Sequence, residues 1–385
     1  MSIVNGEKKM ANGSTVKKRK SNIELLRIVC TLMVITLHLL NPSLLGGVTL
    51  ARKSGSFLNE AIMSWLFCFA ICAVDVFILI SGFFMISNNK RKLGKAINLM
   101  FVCAVYSVVK GVVNHLAAGS AITAKAVLNS LFPKSYYVYI YCALYLVSPY
   151  INRAVNGIDK KSYRRLLGVS IVLFSLWPTF IDCMQQQFGW KFTDISFIAA
   201  DGNGRGFTFV NFVLLYLIGG YIRKYGSESK LLTNKYKCLA IGLGCSVLSL
   251  VISLVFPKLW GTNAIIAYDS IIVIVQAAAL FNFFRLIDIG SSSVVNFLAK
   301  ASFGVFLLHM AALRIMREFI DMEAMFTKGT LSAVLCYLVL LLGAYIVSAA
   351  VDSLARFVMT PVSTRWSETK LFSFDTGFNE TKKAK

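Results

Sequence analysis

Residues Asn22–Asn41 read NIELLRIVCTLMVITLHLLN. The stretch is apolar and long enough for one bilayer crossing, which takes about 20 residues of helix. Glu24, Arg27 and His38 interrupt it. A helix turns by about 100° per residue, so Arg27 and His38, eleven positions apart, point the same way to within about 20°. Thr31 lies about 40° from Arg27 on the helical wheel and Glu24 about 60°. The remaining faces are Leu, Ile, Val, Cys and Met. Ionisable groups gathered on one stripe of a membrane helix mark a functional path, because each is costly in hydrocarbon. The stretch is therefore expected to be a first span with a bundle built around its polar stripe.

The rest of the chain agrees. Its 385 residues are 57% hydrophobic and 15% charged, with a mean hydropathy of +0.67. A soluble domain of this size has too little interior for that much apolar surface. The expected class is an all-α, polytopic integral membrane protein. The basic residues before the first span resemble the start of a signal peptide, but no small-x-small cleavage site follows and the run ends at Asn41-Pro42-Ser43. The net charge of +22 fits the positive-inside rule and anionic lipid contact. No nucleic-acid module is visible, so nucleic acid is not an expected partner. Nine cysteines stand singly with no CxxC, and His38, His115 and His309 are the only histidines, so no metal site is expected.

Apolar spans recur at 22–41, 61–87, 96–118, 136–152, 164–183, 207–223, 237–256, 264–284, 296–315 and 331–357. With the N-terminus inside, 28 of the 40 Lys and Arg fall in cytoplasmic segments and ten on the opposite side. The expectation is about ten transmembrane helices with both termini cytoplasmic, in the cell membrane. Residues 1–20 read as a disordered basic tail, 21–358 as the membrane domain and 359–385 as a second basic tail. The span at 136–152 is rich in tyrosine and is the one open to a tilted or re-entrant path. The longest outer loop, 184–206, carries Asp194, Asp201 and Arg205 beside Trp190 and several Phe. Such a mixture suits carbohydrate faces and equally suits anchoring at a bilayer interface.

Depth follows from about 1.5 Å of rise per residue. His38 lies about 24 Å above the inner end of its helix, Asp75 about 18 Å, Lys110 about 21 Å, Asp269 about 24 Å and His309 about 20 Å. Five helices thus bring a polar group to one level, with Arg27 about 16 Å below His38. Asp75 and Lys110 are candidates for a buried structural pair as much as for a site. His309 reads either as a site residue or as a helix end, and His115 as a wet surface residue.

Four segments resemble the membrane-bound acyltransferase type-three family. The first is IELLRIVCTLMVITLH, with the family's Arg-x10-His spacing at Arg27 and His38. The second, AVDVFILISGFFMI at 73–86, is similar to the family's Gly-Val-Asp-x-Phe-Phe-x-x-Ser-Gly-Phe segment, with Ala73 where Gly is usual. The third, YYVYIYCALYLVSPYINR at 136–153, resembles its aromatic helix ending in Pro before a basic loop. The fourth, KASFGVFLLHM at 300–310, is like its Ser-x-Gly-x-Phe/Tyr-x-x-x-His. The flavour is that of polysaccharide O-acetyltransferases. Two features depart from it. The basic stretch after Ser-Gly-Phe is only Asn88-Asn89-Lys90-Arg91-Lys92, and no Ser-Gly-Asn-His hydrolase-like domain is appended. The expectation is that the membrane domain, or a partner, completes the transfer.

The resemblance implies a cytoplasmic acyl-CoA donor, usually acetyl-CoA, as co-substrate, with no permanently bound cofactor. The acceptor it implies is a hydroxyl of an extracytoplasmic or lipid-linked polysaccharide. CoA phosphates call for a basic mouth, for which Arg27, Lys90, Arg91 and Lys92 are the candidates. A sugar hydroxyl is a weak nucleophile, which assigns His38 as general base or transient acyl carrier. Asp75 is the candidate to orient its imidazole. Glu24, one turn before Arg27, is expected to hold that side chain. The rival class is a transporter or flippase of lipid-linked saccharide, against which the sequence offers no inverted repeat and no matched pair of Gly/Pro-broken helices. A non-catalytic scaffold would not need an Arg/His stripe.

Overall fold

A computed structural model describes residues 7–9, 15–17, 20–117, 119–132, 135–189, 204–255 and 266–367. The helices are α1 (Asn22–Leu40), α2 (Gly47–Lys53), α3 (Phe57–Ala70), α4 (Ala73–Met85), α5 (Leu93–Ala117), α6 (Ala124–Leu131), α7 (Tyr136–Asn156) and α8 (Lys160–Ile171). A π-helical turn, Val172–Leu176, joins α8 to α9 (Trp177–Phe188). Then come α10 (Phe209–Tyr225), α11 (Lys235–Val255), α12 (Ile271–Leu286), α13 (Ser293–Lys300), α14 (Ser302–Arg317), α15 (Met322–Thr327) and α16 (Thr330–Ser367). Among the described residues the expected spans fall largely on helices, with breaks at Ile71–Cys72 and Ala301 and non-helical residues at 207–208 and 266–270. Six described stretches are long and apolar enough to cross a membrane: α1, α3 with α4, α5, α8 with α9, α11 and α16. The pair α13 and α14, bent by 58°, brings the number to seven. Among the others, α10 has 17 residues and α12 has 16.

Two features stand near the ends of the described residues. Within the presumed disordered tail, Glu7–Lys9 and Thr15–Lys17 pair as short antiparallel strands, a conformation suited to β-branched Thr15 and Val16. The last helix runs on to Ser367. The remainder of the N-terminal tail and residues 368–385 lie outside the described residues, as do Asp194 and Asp201 of the aromatic loop.

Helix α1 runs through the centre, with Leu26, Cys30, Ile35, Leu39 and Leu40 fully buried. Its start is pinned to the end of α12 and to the segment between α12 and α13. Ser21 N–H donates to the Gly290 carbonyl at 3.0 Å, and the Asn22 amide donates to the Phe284 carbonyl at 2.9 Å. Peripheral helices are inverted in polarity relative to a soluble bundle. On α11, Leu243, Val247, Val251 and Leu254 face outward, while Ser246, Ser249 and Ser253 are buried. Trp65 Nε1–H donates to the Ser246 hydroxyl at 3.1 Å. Apolar atoms facing out and hydroxyls joining helices within is the arrangement hydrocarbon surroundings favour.

The second span is interrupted between α3 and α4, at Ile71 and Cys72. The interruption strains the ladder of backbone bonds, and the Gln276 side chain of α12 donates to the Cys68 and Phe69 carbonyls at 3.3 and 2.9 Å. Beyond it, α4 lies close against α10. A Cβ at Gly82 would collide with the Tyr216 backbone carbonyl, so the Ser81-Gly82-Phe83 motif contains the residue that permits this approach.

Candidate active site

His38 lies in the last turn of α1 and His309 in the middle of α14. Their ring centroids are 4.8 Å apart, and His309 Nε2 stands 3.0 Å from His38 Nδ1. Both rings are tethered to their own helices. The Val305 carbonyl lies 3.0 Å from His309 Nδ1, and the Val34 carbonyl 2.9 Å from His38 Nδ1. A carbonyl only accepts, so each Nδ1 carries the hydrogen. His309 Nε2 is then the acceptor, and the His38 Nδ1–H is shared between Val34 O and His309 Nε2. That assignment leaves His38 Nε2 with a bare lone pair. A base whose other nitrogen is held by a third group is the arrangement nucleophile activation requires.

The pair borders a cavity of about 400 Å³. Its wall includes Lys110 of α5, Tyr136 of α7, Tyr268, and Ile71 and Val74 on either side of the interrupted span. Irregular backbone at membrane depth is tolerated where it lines such a space. Arg205 also reaches this wall. It sits in a turn of three successive left-handed residues, Gly204 (φ 51°), Arg205 (φ 50°) and Gly206 (φ 84°). A Cβ on Gly206 would press on Tyr268 and the Asp269 amide, so that glycine permits close passage of the turn. The Tyr268 N–H donates to the Arg205 carbonyl at 3.2 Å, fixing the strained residue at the cavity.

The expected common layer divides in two. His38, His309 and Lys110 share the cavity. Asp75 and Asp269 are buried behind it, with 0% and 2% of their surfaces exposed. Asp75 does not orient the His38 imidazole; its carboxylate oxygens have no hydrogen-bond partner among the described residues, which also removes the expected Asp75–Lys110 pair. Asp75 occupies the first turn of α4. The orienting contact comes instead from His309. His115 bonds through Nδ1 to the Ser120 hydroxyl at 2.8 Å, away from the pair.

At the other end of the stripe, Arg27 Nη1 donates to Glu24 at 3.0 Å, as its spacing implies. The Thr31 hydroxyl turns back to the Arg27 carbonyl at 2.8 Å. Arg27 lies within electrostatic range of Tyr137, Tyr141 and Lys95. Lys90 and Lys92 are exposed, whereas Arg91 is buried. The Arg91 guanidinium donates to the Ser148 hydroxyl at 2.8 Å, the Lys90 carbonyl at 2.8 Å and the Met85 carbonyl at 3.1 Å. Its donors hold the α4–α5 connection to α7. Lys95, one turn into α5, stands 5.2 Å from the Tyr145 ring centre and joins the cluster that sequence reading centred on Lys90–Lys92.

Residues 20–350 match a protein family described as an acyltransferase domain, the type-three acyltransferases. No curated protein and no solved structure matches the chain.

Proposed function

The chain belongs to this family of membrane acyltransferases, and from that premise we propose that it moves an acetyl group from cytoplasmic acetyl-CoA to a hydroxyl of an extracytoplasmic or lipid-linked polysaccharide. The observation that carries the reading is the histidine pair beside a cavity, eleven residues along one helix face from a cationic cluster. In this reading ten helices cross the cell membrane, both termini are cytoplasmic, and the Arg27 end faces the donor.

Arg27, Lys90, Lys92 and Lys95 meet the CoA phosphates, while Arg91 keeps that surface in place. The pantetheine arm rises along the α1 stripe and brings the thioester to His38. His38 Nε2 takes the proton of the acceptor hydroxyl as its oxygen attacks the thioester carbonyl. The C–S bond then breaks, and the departing sulfur receives the proton from the imidazolium. The imidazolium is held throughout by the neutral His309 Nε2 and the Val34 carbonyl. Asp75 supports the cavity wall through the start of α4 and does not touch the reacting atoms.

A second reading keeps one observation in its favour. The span interrupted between α3 and α4 borders the cavity through Phe67, Ile71 and Val74, as discontinuous helices do in carriers. Purified protein in liposomes with radiolabelled acetyl-CoA separates the two. The expected outcome is label transferred to saccharide; saccharide movement without label transfer identifies a flippase and overturns the acyltransferase reading.

A further inference from the structure

A second cavity, of about 600 Å³, adjoins the histidine cavity and shares Lys110 and Met310 with it. Its chemistry differs from that of its neighbour. Lys110, Lys125 and Arg314 converge on it from α5, α6 and α14, and Asn114 and Asn129 add side-chain amides. No carboxylate stands among the described residues of its wall. Lys110 and Arg314 both line this cavity from different helices, and Arg314 donates to the Asn114 side chain at 3.4 Å, so like charges share one space. Such an arrangement is unfavourable when empty and is relieved by an anion between them. Amides beside the cations match the hydroxyls of a sugar ring, which needs donors and acceptors in close alternation.

We propose that this second cavity docks the acceptor, and that the acceptor is a saccharide bearing anionic groups, carboxylate or phosphate. The inference rests on the acyl-transfer reading for the word acceptor, and on the two joined cavities for the site. An acidic sugar held by Lys125 and Arg314 extends its neighbouring unit past Lys110 toward His38 Nε2. The charges select the chain, and the histidine pair acts on whichever hydroxyl is delivered.

The test uses full-length protein in zwitterionic nanodiscs without donor. Three oligosaccharides of equal length are titrated: a neutral glucan, a uronate oligomer and a phosphorylated glucan. At least one acidic oligomer is expected to bind tenfold or more tightly than the neutral one, and which of the two does so names the anionic group. Raising salt from about 0.05 to about 0.5 M should erase the preference, since exposed charges are then screened. A Lys125→Gln, Arg314→Gln double variant should lose the preference while retaining the neutral affinity, which also verifies its fold. Equal binding of all three oligomers, or an indifferent variant, overturns the proposal. Loss of saccharide binding when phosphatidylglycerol is added to the disc assigns the cations to a lipid headgroup and also overturns it. Adding labelled acetyl-CoA separates the two claims. Binding of the acidic oligomer without label transfer sinks the enzymatic reading alone, whereas transfer with no charge preference sinks the docking site alone.

Discussion

At one end of α1, Arg27 meets Glu24 on the same helix at 3.0 Å; at the other, His38 meets His309 of α14 at the same distance, across 271 residues of sequence. The first contact is local, with the Arg27 side chain 33% and that of Glu24 7% exposed, and it needs only the i,i+3 spacing of one helix. The second exists only when the bundle has assembled. The difference teaches where precision is invested. In the proposed reaction a phosphate-bearing donor would be met by several cations, so that each could be partly replaced by its neighbours. The proton would be moved by one nitrogen, on a ring held by a partner from the far end of the chain. Substitutions at the histidine end should therefore act on turnover, and substitutions at the arginine end on donor affinity.

The sharpest way to break this contrast is at His38. Removing a general base costs roughly 10²–10⁴ in rate, so His38→Ala should abolish measurable glycan acetylation while the protein still reaches the membrane. Retained activity in vesicles would end the assignment. His309→Gln comes next. It keeps an acceptor near His38 Nδ1 but loses the Val305 tether that sets its direction. The expected loss is roughly 10- to 100-fold in kcat with KM for the donor unchanged, as when an orienting group is removed and the base remains. A pure rise in donor KM would move His309 from the chemistry to the donor path. Arg27→Ala should do the converse, raising donor KM roughly tenfold, the worth of one charge-assisted hydrogen bond, with kcat kept. Donor titration in vesicles reads all three.

What the sequence made legible follows the same division. The spans, the stripe and the Arg27–Glu24 pair depend on residues within a few turns of one another, and periodicity suffices for them. The motif glycine at position 82 was visible, although its reason, the Tyr216 carbonyl, lies on another helix. Arg91 looked like part of a free basic patch because burial against Ser148 is not a local property. Depth and motif point to Asp75 as the orienting group, but neither fixes azimuth, and the contact to His38 is made by His309. A signal for His309 existed in its matching depth and in its motif, but nothing local made it the partner of His38. The Gly204-Arg205-Gly206 turn was hidden inside an aromatic loop, where two flanking glycines were the sole hint of left-handed backbone.

The smallest expected effect is at Glu24, and it tests whether the arginine end is as loosely built as the comparison holds. Glu24→Gln keeps the side chain's shape and removes its charge. Two consequences oppose each other: Arg27 loses a group that holds its direction, and the donor phosphates lose a competitor for the same guanidinium. Exposed ion pairs contribute about 0.2–1 kcal/mol, which bounds the net change in donor KM at roughly fivefold in either direction. The Arg27 side chain is 33% exposed and that of Glu24 7%, so solvent screens the pair only in part, and raised salt should shrink the effect. In the double variant with Arg27→Ala the Glu24 effect on donor KM should vanish, because both routes pass through the guanidinium. A Glu24→Gln change that instead lowers kcat tenfold, or persists without Arg27, would mean that the two ends of α1 are coupled along the helix. The division between a tolerant donor end and an exacting histidine end would then have to be given up.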